Sequence, residues 1–393
     1  MDVSECINQI YDLQQNFLEY IDNIEEDSFD SFINYTETQK IRENADKLRI
    51  FLSMISIVSN NHHRTPHFIE KIEKILQYFE SSIKQSFTNS ELFNIFKNNK
   101  RILLYLFQKQ IITIDKDIYY IIKAKQDKAL TKYRHYFINE IEQIIEREQE
   151  YIGNLYCYFS IEHIIKEINK ICPNISIKSE LFESLKKNGE NDSYLCSLIR
   201  QDSIKEFVSY VNKTNLPIKK ATIEPSFFET NHFLNKKETV TLIEYATFFG
   251  SIQVFQFLKL SGVELTPSLW LFAIHSNCPE MIHLLEEFDV KPDDMSYEKC
   301  LKESIKCHHN EIANYIYENL LANKEINHNI TKYCFNYHNF VFQHLFIDPF
   351  IFIYSLQFDY LDLVKLCIKE KGIDDINMTI ILKFVLIKFP KKK

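Results

Sequence analysis

"TLIEYATFFGSIQVFQFLKLSGVEL", residues 241–265, sets a Thr, an Ala and two Gly at fixed offsets among large apolar residues. Thr241 opens a helix, Ala246 and Gly250 follow, and an apolar second helix carries Val254, Phe255 and Leu258. Two antiparallel helices in so short a unit touch closely where they cross, which demands a small residue at 246. The chain reverses between them in two or three residues. That needs a left-handed backbone, cheap for Gly and tolerable for Asn. Gly262 stands where a cap of the second helix belongs. One such pair has no partner for its apolar face, so the stretch raises the question of copies.

The same plan returns downstream. In "SLWLFAIHSNCPEMIHLLEEFDV", from Ser268, Ala273 matches Ala246, Asn277 matches Gly250, Met281-Ile282 match Val254-Phe255, and Leu285 matches Leu258. "KCLKESIKCHHNEIANYIYENL", from Lys299, supplies Ser304, His308, Ile312-Ala313 and Ile316. "NITKYCFNYHNFVFQHLF" from Asn329 and "FIFIYSLQFDYLDLVKLCI" from Phe350, with Ser355 at the small position, are fainter copies. The starts at 241, 268, 299, 329 and 350 are 27, 31, 30 and 21 residues apart. Copies in one register stack and share a core that none could bury alone.

The opening stretch resembles an ankyrin repeat, whose 33-residue unit starts with T-P-L-H-x-A. "NGENDSYLCSLIRQDSIKEFVSYVNKTNLPI", "FFETNHF", "LIEYATFFGSIQVFQFL" and "CLKESIKCHHNEIANYI" are similar, as phrases, to the large ankyrin-like family of unknown function expanded in trichomonad protists. That resemblance covers roughly residues 90–377. It implies a helical N-terminal region followed by a short ankyrin-type solenoid, and no established chemistry. Leu242 stands where the ankyrin pattern has Pro, and Glu244 where it has the His whose hydrogen bonds tie neighbouring turns. The short intervals imply β-hairpin fingers that are shortened or absent. After Gly372 the pattern lapses, and "MTIILKFVLIKFPKKK" reads as half a repeat, a cap or a truncated end.

Elsewhere apolar residues recur three and four apart. Ile7, Ile10, Tyr11, Gln14, Phe17, Leu18, Ile21 and Ile24 form one stripe. Phe68, Ile72, Ile75, Leu76, Phe79 and Ile83 form another behind Pro66. "NSELFNIFKNNKRILLYLFQKQII" reads as helix, Asn98-Asn99 turn, helix. A long helical pattern runs from Asp117 to Tyr158 through Tyr133, Phe137, Ile141, Ile144, Ile145 and Ile152. Helices are also expected at Leu195–Arg200 and Ile204–Val211, before a longer loop from Pro217 to Glu238. Strand evidence is poor: the one Asn-Gly pair, Asn188-Gly189, falls in a linker or helix stop, and Asp-Gly and Gly-Gly turns are missing. The expected fold is all-α: an N-terminal helical region, 1–185, then an ankyrin-like α-solenoid of stacked helix pairs, 186–393.

Composition narrows the function. Phe (32) and Tyr (22) are plentiful while Gly (5) and Trp (1) are scarce, a set that an AT-rich coding sequence favours, so single aromatic residues are weak clues. A formal charge of −8 repels nucleic acid and anionic lipid, and the closing "KFPKKK" reads as a solvated tail. Nine Cys without a CxxC pair read as reduced thiols. The acidic, amide-rich start is not a signal peptide, and no apolar run is long enough to span a bilayer. The cytoplasm is the expected location, with the nucleus left open.

Glycines at 153, 189, 250, 262 and 372 are too far apart for a P-loop, GxGxxG or GxSxG. "HHRTPH" (His62, His63, His67) and Cys300, Cys307, His308 and His309 were the candidates for zinc, which needs four converging ligands. His308 and His309 fall in an inter-helix turn, where adjacent side chains diverge. Cys307 beside Lys306 and two His has the setting of a reactive thiol, and Trp270 that of a packed first-helix residue. No catalytic residue, cofactor or metal is expected. Ankyrin-type stacks bind on the concave side, at the C-terminal end of each first helix. The register puts there Phe248 and Phe249, His275 and Ser276, Lys306 and Cys307, Asn336 and Tyr337, Gln357 and Phe358. This ladder suits a protein partner if exposed; otherwise Phe248 and Phe249 pack inside. The expectation is a non-enzymatic protein–protein interaction scaffold with an unidentified protein partner. The alternative is a self-associating structural protein whose long helix pairs between chains.

Overall fold

The computed structural model describes residues 2–23, 28–123, 133–147, 161–293, 295–321, 327–342 and 350–371. The fold of these residues is all-α. The one strand pair among them joins Thr222–Ile223 antiparallel to Val240–Thr241, two residues each. By internal contacts the chain forms two compact units. An interleaved unit combines Met1–Val58, His62–Lys74 and Pro292–Lys393; a contiguous unit combines Ser59–Asn61 with Ile75–Lys291. The division expected at 185/186 is not the one these contacts draw.

In the contiguous unit, helices Asn89–Phe96 and Lys100–Gln108 flank the Asn98-Asn99 turn as the sequence predicts, and Asn99 caps the second by accepting from Ile102 N–H at 3.0 Å. The long helix expected from 117 is not continuous where described: Lys116–Lys123 and Ile138–Arg147 are separate helices, with a turn at Phe137. Ile144 and Ile145 lie on Ile138–Arg147, whereas Ile152 and the rest of the pattern to Tyr158 lie outside the described residues. Three helix pairs follow: Tyr194–Arg200 with Ile204–Thr214, Leu242–Phe248 with Ile252–Leu260, and Leu269–Ser276 with Pro279–Glu287. The interleaved unit holds three further first helices, Glu298–Cys307, Asn327–Tyr337 and Ile351–Gln357. The first is followed by Asn310–Tyr315, which runs on as a π-helical turn to Leu320, and the last by Leu361–Lys371.

The reason for the pairs is written in the backbone. Asp202, Gly250, Asn277, His308, His338 and Asp359, one after each first helix, all have positive φ, between +49° and +67°. Five of these are the ninth positions after the starts at 241, 268, 299, 329 and 350. Asp202 adds an earlier pair that the sequence register had not included. The residue after the turn closes back on the small position: Ser251 N–H to Ala246 O (2.9 Å), His309 N–H to Ser304 O (3.1 Å), Tyr360 N–H to Ser355 O (2.9 Å). Ala246, Ala273, Ser304 and Ser355 are fully buried, as a close crossing requires.

Successive pairs are tied by polar side chains at these turns. In the contiguous unit, Asp202 accepts from Gln253 N–H (3.0 Å) and Val254 N–H (2.9 Å), capping the next pair's second helix. In the interleaved unit, His308 Nε2–H donates to Tyr337 O (2.9 Å), Asn339 donates to Ile305 O (2.7 Å), and His338 Nδ1 bonds the Tyr360 hydroxyl. Glu244, where ankyrin sequences have His, closes a capping box with Thr241 and accepts from Ser268 Oγ, the first residue of the next copy, at 2.7 Å. Glu298 does the parallel job toward Asn329 (2.8 Å).

Candidate interaction surface

The ladder residues stand at the turns as the register requires, but they are not an exposed row. Phe248, His275, Ser276 and Cys307 are buried, at 8, 2, 3 and 0 % exposure; Phe249, Lys306, Asn336, Tyr337, Gln357 and Phe358 are half-buried. What covers them differs between the two units.

In the contiguous unit the cover is residues 224–239, the insert between the two short strands. Phe227 and Phe228 pack on Phe182 at centroid distances of 5.8 and 5.6 Å, beside Ile138, Ile164 and Ile168. Thr230 donates to Gly189 O from both its N–H (3.0 Å) and its hydroxyl (2.8 Å). Gly189 has φ +70°, and a Cβ there would meet Thr230 Oγ1 at 2.8 Å, so only glycine lets the insert approach. Buried Glu229 accepts from Asn191 N–H and Asn231 N–H, and Asn231 caps the short helix His232–Lys236 by accepting from Phe233 N–H at 2.9 Å. Phe233 then lies on the ladder: 4.1 Å from the His275 ring, 5.0 Å edge-on to Phe272 and 5.9 Å stacked on Phe248. Lys237 ends the segment with Nζ 2.7 Å from Glu244 and 4.5 Å from the Phe272 ring centre. Burial alone would raise the Glu244 carboxyl, but Lys237, the Thr241 backbone and Ser268 outweigh it and hold it below the usual range. Phe249 packs edge-on against Phe248 (5.0 Å) and against Tyr245 (4.7 Å), whose hydroxyl accepts from Arg200.

In the interleaved unit the cover comes from the first helices of the chain. Gln14, fully buried, donates to Asn339 Oδ1 and accepts from Phe340 N–H, both at 2.7 Å. His62 places Nδ1 2.9 Å from Cys307 O and Nε2 3.0 Å from Asp22 Oδ1. His63 N–H donates to His309 Nε2 at 3.1 Å. Lys306 pairs with Glu303 on its own helix at 2.6 Å.

These contacts decide the metal and thiol candidates. Both His62 nitrogens are engaged, and His67 points to Glu70 at 2.6 Å, so "HHRTPH" does not converge. Within either unit, no three ligand atoms of His, Cys, Asp or Glu converge among the described residues. Cys307 is not a reactive thiol: burial pushes it well above the usual range, and Glu303 adds to that. Trp270 is core, fully buried and donating to Val290 O at 2.7 Å. Of the stripe offered for pairing between chains, Tyr133, Phe137 and Ile141 are already covered.

Phe233 and Lys237 fall in what the sequence reads as a long loop; the signal for them is "TNHF", an Asn cap before an apolar turn between two aromatic clusters. Gln14 falls within an apolar stripe, where a lone amide marks a buried polar contact. Among the described residues no helix is long and apolar enough to cross a membrane. In comparisons with family models, curated proteins and solved structures, nothing matched this chain.

Proposed function

We propose that the chain is a non-enzymatic protein–protein interaction scaffold of the ankyrin-like type, working in the cytoplasm, with the turn ends of its first helices as the recognition surface. The observation that supports this reading is the positive φ found at one register position after each first helix, directly behind the residues of the ladder. Phe249, Lys306, Tyr337 and Phe358 retain half-exposed surface there, an aromatic and cationic set of the kind that anchors protein interfaces. The two covered stretches fit a surface that is engaged in turn by the chain's own segments and by a partner.

The test is affinity capture with the full chain from extract of the source cell, followed by binding of each purified captured protein. The native chain is compared with a variant carrying Phe249→Ala, Lys306→Ala and Tyr337→Ala at unchanged helicity. A protein bound directly by the native chain and at least tenfold more weakly by the variant supports the reading. Equal binding by both removes the ladder as the site.

A further inference from the structure

The insert 224–239 is anchored firmly at one end and lightly at the other. Phe228 and Glu229 are buried, whereas Phe233 and Lys237 are only half-buried and Lys236 and Glu238 are exposed. Beside the light end lies an open cleft of about 280 Å3, lined by Asn191, Glu229, Leu234, Asn235, Lys237 and Tyr245. The helix His232–Lys236 has five residues, too few to hold itself, so its order comes from the surface under it.

That surface is chemically specific. Phe248, Phe272 and His275 offer three ring faces to one aromatic side chain, and Glu244 stands beside them for one cation. Phe233 and Lys237 are four positions apart, the spacing that puts two side chains on one face of a helical turn. We infer that the Phe248–Phe272–His275 groove recognises a short helical peptide carrying an aromatic residue and, four positions later, a basic one. Residues 231–237 occupy it as an internal stand-in until such a peptide displaces them. The inference rests on reading the turn ladder as a recognition surface; it adds the chemistry of the partner and the means by which the site is kept closed.

The probe is a fluorescein-labelled peptide of residues 229–238, ETNHFLNKKE, titrated against the full chain by anisotropy. The native chain is expected to bind it at least tenfold more weakly than the Phe233→Ala/Lys237→Ala variant, whose groove is vacated. A peptide with Ala in place of the Phe is expected to lose that binding. A variant with native helicity and unchanged Trp270 emission that binds no better than the native chain overturns the inference. Should the variant misfold, amide exchange on the unaltered chain decides. Phe233 and Leu234 N–H are expected to exchange at least a hundredfold faster than those of Tyr245–Phe248, and equal protection shows the insert to be core and overturns the inference. An outside partner held through Lys306 and Tyr337 while the peptide fails would overturn this inference and leave the scaffold reading standing. Peptide binding with no outside partner would do the reverse.

Discussion

The side chain of Gln14 donates to that of Asn339 across 2.7 Å, although the two stand 325 positions apart. The same glutamine accepts from Phe340 N–H, so one amide satisfies two groups of an inter-helix turn. Gln14→Leu keeps the volume but leaves Phe340 N–H buried without its acceptor. We expect a loss of about 1–3 kcal/mol, read from urea denaturation, with Gln14→Glu also destabilising because it cannot donate. A change below about 0.5 kcal/mol for Gln14→Leu would show that the turn finds other partners.

Gly250 and Asn277 occupy one position of successive copies with φ +67° and +51°. A Cβ at Gly250 would also press on Cys278 Cβ at 3.3 Å. Gly250→Ala is therefore expected to cost about 1–2 kcal/mol. Asn277→Gly should be close to neutral, since both residues accept this backbone. Equal costs at the two positions would argue against a shared turn geometry.

Glu244 serves its own helix, the next copy and Lys237 at once. Glu244→Ala removes the carboxylate half of the capping box and leaves Ser268 Oγ and Lys237 without that acceptor, an expected loss of about 1–3 kcal/mol. Emission from Trp270, fully buried in the same unit, follows the transition. A shift no larger than that of an ordinary cap removal would show that Ser268 is not a tie between copies.

Burial holds the imidazole of His308 down to about 3 and that of His338 down to about 4. Unfolded, both titrate near pH 6.5. Between pH 6.5 and about 4 the unfolded chain binds protons that the folded chain refuses. Their contribution is therefore intact above pH 6.5 and is lost as pH falls through that window, by on the order of 3 kcal/mol each. His308→Asn tolerates the left-handed turn and should flatten its share of the profile. Parallel native and variant profiles between pH 7 and 4.5 would contradict the assignment.

Cys307 and Cys334 have thiols raised by burial, Cys334 to about 12. Both should resist a thiol reagent at pH 8 until the chain unfolds, whereas half-buried Cys278 reacts before either. Mass mapping of the labelled cysteines at short times checks the order.

The turns were legible because a two-residue reversal restricts which side chains can stand there. Gly250 and Asn277 announce it, and His308 follows from the register. Thr241 was legible as a helix start, and Ala246 and Ser304 as close crossings. What lies over the ladder was not legible. Periodicity says which face of a helix is apolar but not which distant segment covers it, so Phe248 and His275 looked available while Phe233 looked like loop. Asp202 escaped because it stands 48 positions before Gly250, an interval that the insert 224–239 lengthens beyond the period.

The interleaved unit also sets an order of assembly. Synthesis runs at about 5–20 residues per second, so roughly ten to forty seconds pass between the completion of Lys74 and that of Pro292. The contiguous unit can condense as it leaves the ribosome. The helix Val3–Asp22 can do so only in part: Phe17 packs at once on Phe32 and Phe51, but Gln14 waits for Asn339, and His62, which holds Asp22, waits for Cys307. During that wait the side that carries Gln14 stands open to chaperones and to neighbouring nascent chains. That side, made long before its partners, is the last to dock.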